Sequence, residues 1–198
     1  MSIQRNSIRD LVSHDGLKDS LTGLLAFPAF MDSARREINS AERNRTNLNL
    51  YLVSITEKNV AGERVHIARI EREISDRSDD ELYALAARVT EVSHAIKTQL
   101  RVNDLVTRYT FAEFLVLNSG DTSEIAKKLT EIVAKFDAIV VGMEIIGANF
   151  HASEKNSSRG FPDMKDASIE KVAQNSPLNS AIYALEKNMA ELLAAKFN

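Results

Sequence analysis

The sequence predicts an α/β protein, because segments with strand patterns alternate along the chain with segments that have the period of a helix. Two observations predict the strands: an apolar run at 47–55, and a run at 106–117 that is rich in β-branched and aromatic residues. The third observation is that apolar residues recur at helical spacing in four segments. These segments lie near 28–44, 79–100, 122–137 and 177–197.

The composition is that of one soluble domain. With 198 residues, the chain can bury roughly 70% of the surface that it exposes when unfolded, so we expect no cofactor to be needed for folding. It has no cysteine and only four scattered histidines, and we therefore expect no metal site. The net charge of −3 offers no basic field for nucleic acid. No apolar run reaches the ~18 residues of a membrane span, so we expect a cytoplasmic protein.

The first 14 residues are predicted to be a short helical lead or linker, followed by a single domain at 15–198. Ile8, Leu11 and Val12 repeat at helical spacing, and Asp15-Gly16 ends that pattern.

The first half of the domain is expected to contain two helices around a strand. Pro28 suits the first turn of a helix that runs to Asn44. The apolar strand at 47–55 follows, and the segment at 58–80 is interpreted as a helix or an irregular charged insertion. Acidic residues at 79–81 favour a helix start there, because they complement the helix dipole.

A hairpin dominates the second half. The chain is expected to reverse near Tyr109 to Ala112, and four turn residues at 118–121 close the second strand. The remaining predicted elements are a helix capped at 121–124, one or two strands at 138–150, a loop at 151–162, a short helix at 166–174 and a final helix from Pro177.

The hairpin resembles the signature of GGDEF domains, the diguanylate cyclase family. That family carries an Arg-x-x-Asp pair, five further residues, and then Gly-Gly-(Asp/Glu)-Glu-Phe at a hairpin tip. Here Arg101 and Asp104 match the pair, and Thr110-Phe-Ala-Glu-Phe114 stands in place of the signature. Asp19-Ser-Leu-Thr-Gly-Leu-Leu-Ala-Phe-Pro-Ala-Phe30 resembles a second family pattern, Asp-x-Leu-Thr-Gly-Leu-x-Asn-Arg-x-x-Phe, at six positions.

The resemblance covers about 15–190 and implies a palm-like nucleotide-cyclase fold, with a mainly antiparallel central sheet and helices on both faces. It also implies that Asp19 and Arg108, which are charged in the family as well, pair with each other and have a structural role.

The resemblance further implies that the catalytic parts are degenerate. In the family, a strand aspartate and an acid of the signature hold magnesium, and two glycines let the nucleotide approach. Here Ser54 and Ala112 take the places of the two acids. Thr110 and Phe111 replace the glycines, and Glu113 is retained. Because a neutral hydroxyl is a poor ligand for Mg²⁺, we expect no catalytic residue and no bound metal.

Three further family positions are less well matched. Glu57 is a candidate replacement for the strand acid, but a shift of one residue turns its side chain to the other face. The guanine-binding Gly-Asp falls on Leu85-Ala86 without a gap, which we prefer, or on Ser78-Asp79 with one. The phosphate-contacting lysine falls at or beside Glu186-Lys187, so it is not carried over.

The implied function is that of a catalytically inactive GGDEF-like domain in bacterial cyclic di-GMP signalling. In the family, the Arg-x-x-Asp pair forms an inhibitory site for cyclic di-GMP, so Arg101 and Asp104 are the expected ligand-binding residues in a sensing or scaffolding role. The alternative is a protein-interaction module or homodimer that binds no nucleotide and uses an exposed Phe111 as its contact. An active diguanylate cyclase is the third interpretation.

Overall fold

The computed structural model describes residues 13–58, 62, 64–67, 77–120, 122–146 and 177–194. The helical lead, the loop at 151–162 and the short helix at 166–174 lie outside the described residues, apart from His14 and Ser13 at the end of the lead. The described elements follow in the order α1 (Phe27–Asn44), β1 (Leu48–Lys58), β2 (Arg64–His66), α2 (Asp79–Gln99), β3 (Leu105–Thr110), β4 (Glu113–Ser119), α3 (Thr122–Lys135), β5 (Ala138–Ile146) and α4 (Pro177–Ala194).

The strands form one antiparallel sheet around β1. Val53 of β1 lies opposite Phe114 of β4 on one side and opposite Val140 of β5 on the other. β3 pairs with the far side of β4, where Val106 lies opposite Val116. The order is therefore β5–β1–β4–β3, with β2 also paired to β1. The hairpin that the sequence predicted is the pair β3–β4.

The segment at 58–80 differs from the expected helix or irregular insertion. β1 continues to Lys58, three residues beyond its predicted end at Ile55, and its last residues need hydrogen-bond partners. β2 supplies them, with Thr56 opposite His66 and Lys58 opposite Arg64. Residues 64–66 of this segment are therefore a strand, whereas 59–61, 63 and 68–76 lie outside the described residues.

Helices cover both faces of the sheet, each over its own apolar cluster. On one face, α2 and α3 pack over Tyr51, Val53 and Ile55 of β1. On the other face, α1 and α4 pack over Leu50 and Leu52. Since successive residues of a strand point to opposite faces, a strand buried on both sides is apolar throughout, which explains the continuous run in the sequence.

The apolar residues at helical spacing in the first two predicted helices are buried. In α1 the buried residues are Phe30, Ala34, Ile38 and Ala41, and those in α2 include Leu82, Leu85, Val89, Val92 and Ile96. Helix α2 begins with a capping box, in which the Ser78 side chain accepts from the Glu81 backbone N–H and the Glu81 side chain accepts from that of Ser78. Within the described parts of the chain, no helix is both long and apolar enough to span a membrane.

Arg88 ties α2 to the end of β1. Its Nη2 donates to the carbonyl oxygens of Thr56 at 2.8 Å, Phe136 at 2.9 Å and Asp137 at 3.2 Å. The Thr56 hydroxyl donates to the same carbonyl of Asp137 at 2.6 Å. These bonds fix the strand end that lies next to the hairpin tip.

Candidate functional site: the hairpin and the Arg101 turn

The tip of the hairpin is folded into the core. β3 ends at Thr110 and β4 begins at Glu113, so the chain reverses at Phe111 and Ala112, as predicted. Phe111 is only 4% exposed, and the centroid of its ring lies 5.7 Å from the guanidinium carbon of Arg108. The prediction that Phe111 is an exposed partner contact is therefore wrong, because burial in the α2–α3 cluster and a cation–π contact hold the ring inside.

Ser54 and Glu113 face each other at the end of the sheet. They are directly opposed in the β1–β4 ladder, and both are almost fully buried. The Thr110 hydroxyl donates to Glu113 Oε2 at 2.9 Å, so the carboxylate is engaged within its own hairpin. Ala112, which offers no side-chain oxygen, is 3% exposed. One buried carboxylate beside two hydroxyls does not fit a pair of hard cations that need several oxygen ligands.

Glu57 does not replace the missing strand acid. It lies on the other face of β1 and forms a two-pronged ion pair with Arg77, at 2.7 Å and 2.8 Å. The two residues line a cleft of about 430 Å³ between the end of β1 and α2. Nowhere in the described ranges do three or more His, Cys, Asp or Glu side chains cluster as metal ligands.

The positions that correspond to the family's guanine-binding pair and phosphate-contacting lysine lie in the core, at a helix cap and on α4. Leu85 and Ala86 are buried in the core on α2, and Ser78 caps that helix. On α4, Glu186 Oε1 accepts a hydrogen bond from the Tyr109 hydroxyl at 2.9 Å. The neighbouring Lys187 is exposed and lies 3.8 Å from Glu191. Helix α4 therefore brings an acid, rather than a cation, to the hairpin.

Asp19 and Arg108 form the ion pair that we predicted. Arg108 Nε lies 3.0 Å from both carboxylate oxygens of Asp19, and Nη2 also contacts Oδ2. The two side chains are 9% and 4% exposed, respectively. Asp19 also accepts from the backbone N–H and hydroxyl of Thr22. Burial alone would raise the pKa of Asp19, but the hydrogen bonds from Arg108 and Thr22 outweigh it and lower the pKa.

The segment around Asp19 lies along the outer edge of β3. The Leu25 backbone N–H donates to the Val106 carbonyl at 3.3 Å, and the Thr107 hydroxyl donates to the Leu25 carbonyl at 2.8 Å. Gly23 has a φ of 65°, a conformation that favours glycine. The residues that match the second family pattern therefore build a turn that covers an edge strand. The sequence interpretation missed Thr107, a polar residue within a strand that is fully buried and bonds to this turn.

The Arg101 turn is organised by Asp104. Asp104 Oδ2 accepts from the Arg101 backbone N–H at 2.8 Å, and the Asp104 N–H donates to the Arg101 carbonyl at 3.1 Å. Asp104 Oδ1 accepts from Asn118 Nδ2 at 2.6 Å. Asn118 is 3% exposed, and its Oδ1 is a buried atom without a hydrogen-bond partner. The amide is held in this orientation because the reverse one would bring two oxygens together.

The guanidinium of Arg101 extends to the surface, where it meets Glu124 at the start of α3. Arg101 Nη2 lies 2.7 Å from Glu124 Oε2, and Lys128 Nζ lies 2.8 Å from Oε1. The pKa of Glu124 is lowered, chiefly by the hydrogen bond from Lys128 and then by the charges of Lys128 and Arg101. The sequence did not predict that Glu124 and Asn118 contact this turn, because each is far from Arg101 in the chain.

Comparison with known proteins identifies the fold. No family model matches the sequence, and no curated protein does. The coiled coil and GGDEF domain of DgcB from Caulobacter crescentus, solved in complex with c-di-GMP, matches with a TM-score of 0.50 and 18% identity over 72% of this chain and 82% of that one. The diguanylate cyclase SiaD from Pseudomonas aeruginosa, in complex with its activator SiaC, matches with a TM-score of 0.50 and 17% identity over 76% of this chain and 56% of that one.

A sensory box/GGDEF family protein from Caulobacter crescentus has a TM-score of 0.49 and 17% identity over 72% of this chain and 93% of that one. The matches to DgcB and SiaD show that the chain has the fold of a GGDEF domain. The fold class predicted from the sequence is thereby confirmed.

Proposed function

We propose that this chain is a GGDEF-like domain without cyclase activity that works in cyclic di-GMP signalling in the bacterial cytoplasm. It acts as a sensor or scaffold and binds the nucleotide at Arg101 and Asp104. The observation that carries this proposal is the contrast between two regions. The hairpin tip is filled by its own buried side chains, whereas the Arg101 turn is ordered and holds an arginine side chain that is 60% exposed.

The extent of the core supports a single domain at 15–198, preceded by a linker. One apolar cluster joins Phe30 near the start of the described chain to Leu193 near its end. The two elements that carry these residues, α1 and α4, cover the same face of the sheet.

Chemistry at the hairpin argues against catalysis. Transfer of a phosphoryl or nucleotidyl group by two metal ions depends on carboxylates that hold the cations against the phosphates. At this site Ser54 and Ala112 supply no carboxylate, and Glu113 is buried against Thr110. Glu186 adds a negative charge near the hairpin, which opposes a triphosphate.

We expect the protein to form no cyclic di-GMP from GTP with either Mg²⁺ or Mn²⁺. Product formation is followed by chromatography over hours at high protein concentration, and the Glu113→Ala variant is the matched control. Sustained turnover by the parent that disappears in Glu113→Ala would overturn the proposed loss of activity.

The Arg101 turn has the chemistry to bind a nucleotide. Arginine presents a rigid fork that suits a phosphate or the Hoogsteen edge of guanine, and a carboxylate accepts from guanine nitrogens. The backbone of the turn is fixed before any ligand arrives, which lowers the entropic cost of binding. DgcB, a protein of the same fold, was solved in complex with c-di-GMP, which supports this ligand.

Calorimetric titration with cyclic di-GMP tests the assignment. We expect binding by the parent, and at least about tenfold weaker binding by Arg101→Ala, because a charge-assisted hydrogen bond is worth about 1.5–3 kcal/mol. Arg35→Ala is the matched control, since Arg35 is equally exposed and also pairs with a carboxylate. Equal affinities for all three proteins would refute the assignment to Arg101.

A second candidate function is a protein-interaction module that binds no nucleotide. It is favoured by the fact that Arg101 and Asp104 both have partners within the chain. Absence of heat from the parent and from both variants would select this function over the sensor.

A further inference from the structure

Hydrogen bonds hold the backbone of the Arg101 turn in place, so the Arg101 side chain is the part of the turn that can move. The backbone N–H and carbonyl of Arg101 both bond to Asp104. Asp104 in turn is held by the buried Asn118, which belongs to a central strand of the sheet. The guanidinium, in contrast, projects from this base over Gly120, where a Cβ on the glycine would lie 3.8 Å from Nη1 of Arg101.

The carboxylate of Glu124 lies where an anionic ligand would contact the guanidinium of Arg101. Its two carboxylate oxygens are divided between Arg101 Nη2 at 2.7 Å and Lys128 Nζ at 2.8 Å. A phosphate that approached the same two cations would need the place of this carboxylate, because both ligands are anions that use the same donors. Glu124 is about half exposed, so its side chain can move into solvent without unfolding the helix.

We propose that Glu124 is a built-in competitor for the phosphate of a nucleotide at Arg101. It closes the site when the ligand is scarce and must be displaced when the ligand binds. This inference rests on the proposed binding of cyclic di-GMP. It adds the residue that sets the concentration of cyclic di-GMP needed for binding. The displacement also frees Lys128 for the phosphate, so one movement exposes two cations.

The size of the effect follows from the exposure of the pair. An exposed ion pair contributes up to a factor of about five in an equilibrium constant, and salt screens it. We therefore expect Glu124→Gln to bind cyclic di-GMP about three to five times more tightly than the parent at low ionic strength. The ratio of the Glu124→Gln affinity to the parent affinity should fall towards one at about 1 M salt, where the Debye length falls to about 3 Å.

The experiment is a calorimetric titration with cyclic di-GMP at low and high salt. Glu131→Gln is the matched control, because it removes the same charge from an exposed position two turns further along α3. Glu124→Ala provides a second replacement, and thermal melting verifies that each variant is folded.

Tighter binding by both Glu124 variants, with Glu131→Gln at the affinity of the parent, supports the proposal. Equal affinities of the parent and the Glu124 variants, or an equal gain in Glu131→Gln, overturn it while leaving the nucleotide site in place. Absence of binding by every protein overturns both this inference and the proposed function.

Discussion

Replacing Arg108 by methionine is expected to lower the free energy of unfolding by about 3–5 kcal/mol, which is the usual result of breaking a buried ion pair. Methionine keeps the apolar part of the side chain but leaves the carboxylate of Asp19 without its cationic partner. The turn that carries Asp19 covers the edge of β3 through Leu25. Urea denaturation followed by circular dichroism measures the loss.

Two controls separate this effect from the general loss of a charge. Arg35→Met removes an arginine from an exposed pair with Asp32, whose side chains are 58% and 67% exposed, and should cost at most about 1 kcal/mol. The double variant Asp19→Asn/Arg108→Met leaves no unpaired charge at the site of this ion pair, so it should be less destabilised than the sum of the two single variants. A cost in Arg108→Met no greater than in Arg35→Met would refute the structural role of the pair.

The same ion pair gives stability a defined dependence on pH. The pKa of Asp19 in the folded protein lies below its ordinary value of 3.8, so the unfolded chain takes up the proton first as the pH falls. The contribution of Asp19 is therefore complete above the unfolded pKa and is lost as the pH falls through the folded one. We expect the difference in stability between the parent and Asp19→Asn to be constant near neutral pH and to narrow below about pH 4.

Replacing Gly142 by valine is expected to lower the free energy of unfolding by about 3 kcal/mol, at the upper end of the usual cost of overpacking. Gly142 lies opposite Tyr51 in the β1–β5 ladder, and the tyrosine ring lies across it. A Cβ at Gly142 would lie 2.6 Å from Tyr51 Cε1 and closer still to Cδ1, whereas carbon atoms pack at about 3.5–4.0 Å. Tyr51 is 4% exposed on a central strand, so the ring has little room to turn aside.

A double-mutant cycle identifies the tyrosine ring as the cause. In a Tyr51→Val background the space above Gly142 is open, and Gly142→Val should then cost at least about 1 kcal/mol less than in the parent. Chemical denaturation of the four proteins provides the comparison. Costs that are additive within about 0.5 kcal/mol would show that the strand, and not the ring, resists the substitution.

Local patterns were sufficient for most of the elements of this fold. The helical spacing of apolar residues at 28–44 predicted α1, and its buried residues include Phe30, Ala34 and Ile38, because residues three or four apart lie on one side of a helix. The strand formers around Tyr109 predicted the hairpin and its point of reversal. In both cases the information is contained in the period and in the turn residues of a single segment.

Local patterns did not predict the strand β2 within the segment at 58–80. β2 exists because β1 runs on to Lys58 and needs a partner for its last residues. Three residues are too short a run for a period to be recognised, and the surrounding arginines and glutamates concealed it.

By itself, the sequence determined the alternation of helices and strands, the faces that they bury, and the absence of acids at Ser54 and Ala112. Only the tertiary structure decided that Phe111 turns inward, that Asp104 rests on Asn118, and that Glu124 holds the guanidinium of Arg101. The physical reason is distance along the chain. A pattern within one segment encodes its own period, but a contact between side chains from different elements depends on how those elements pack.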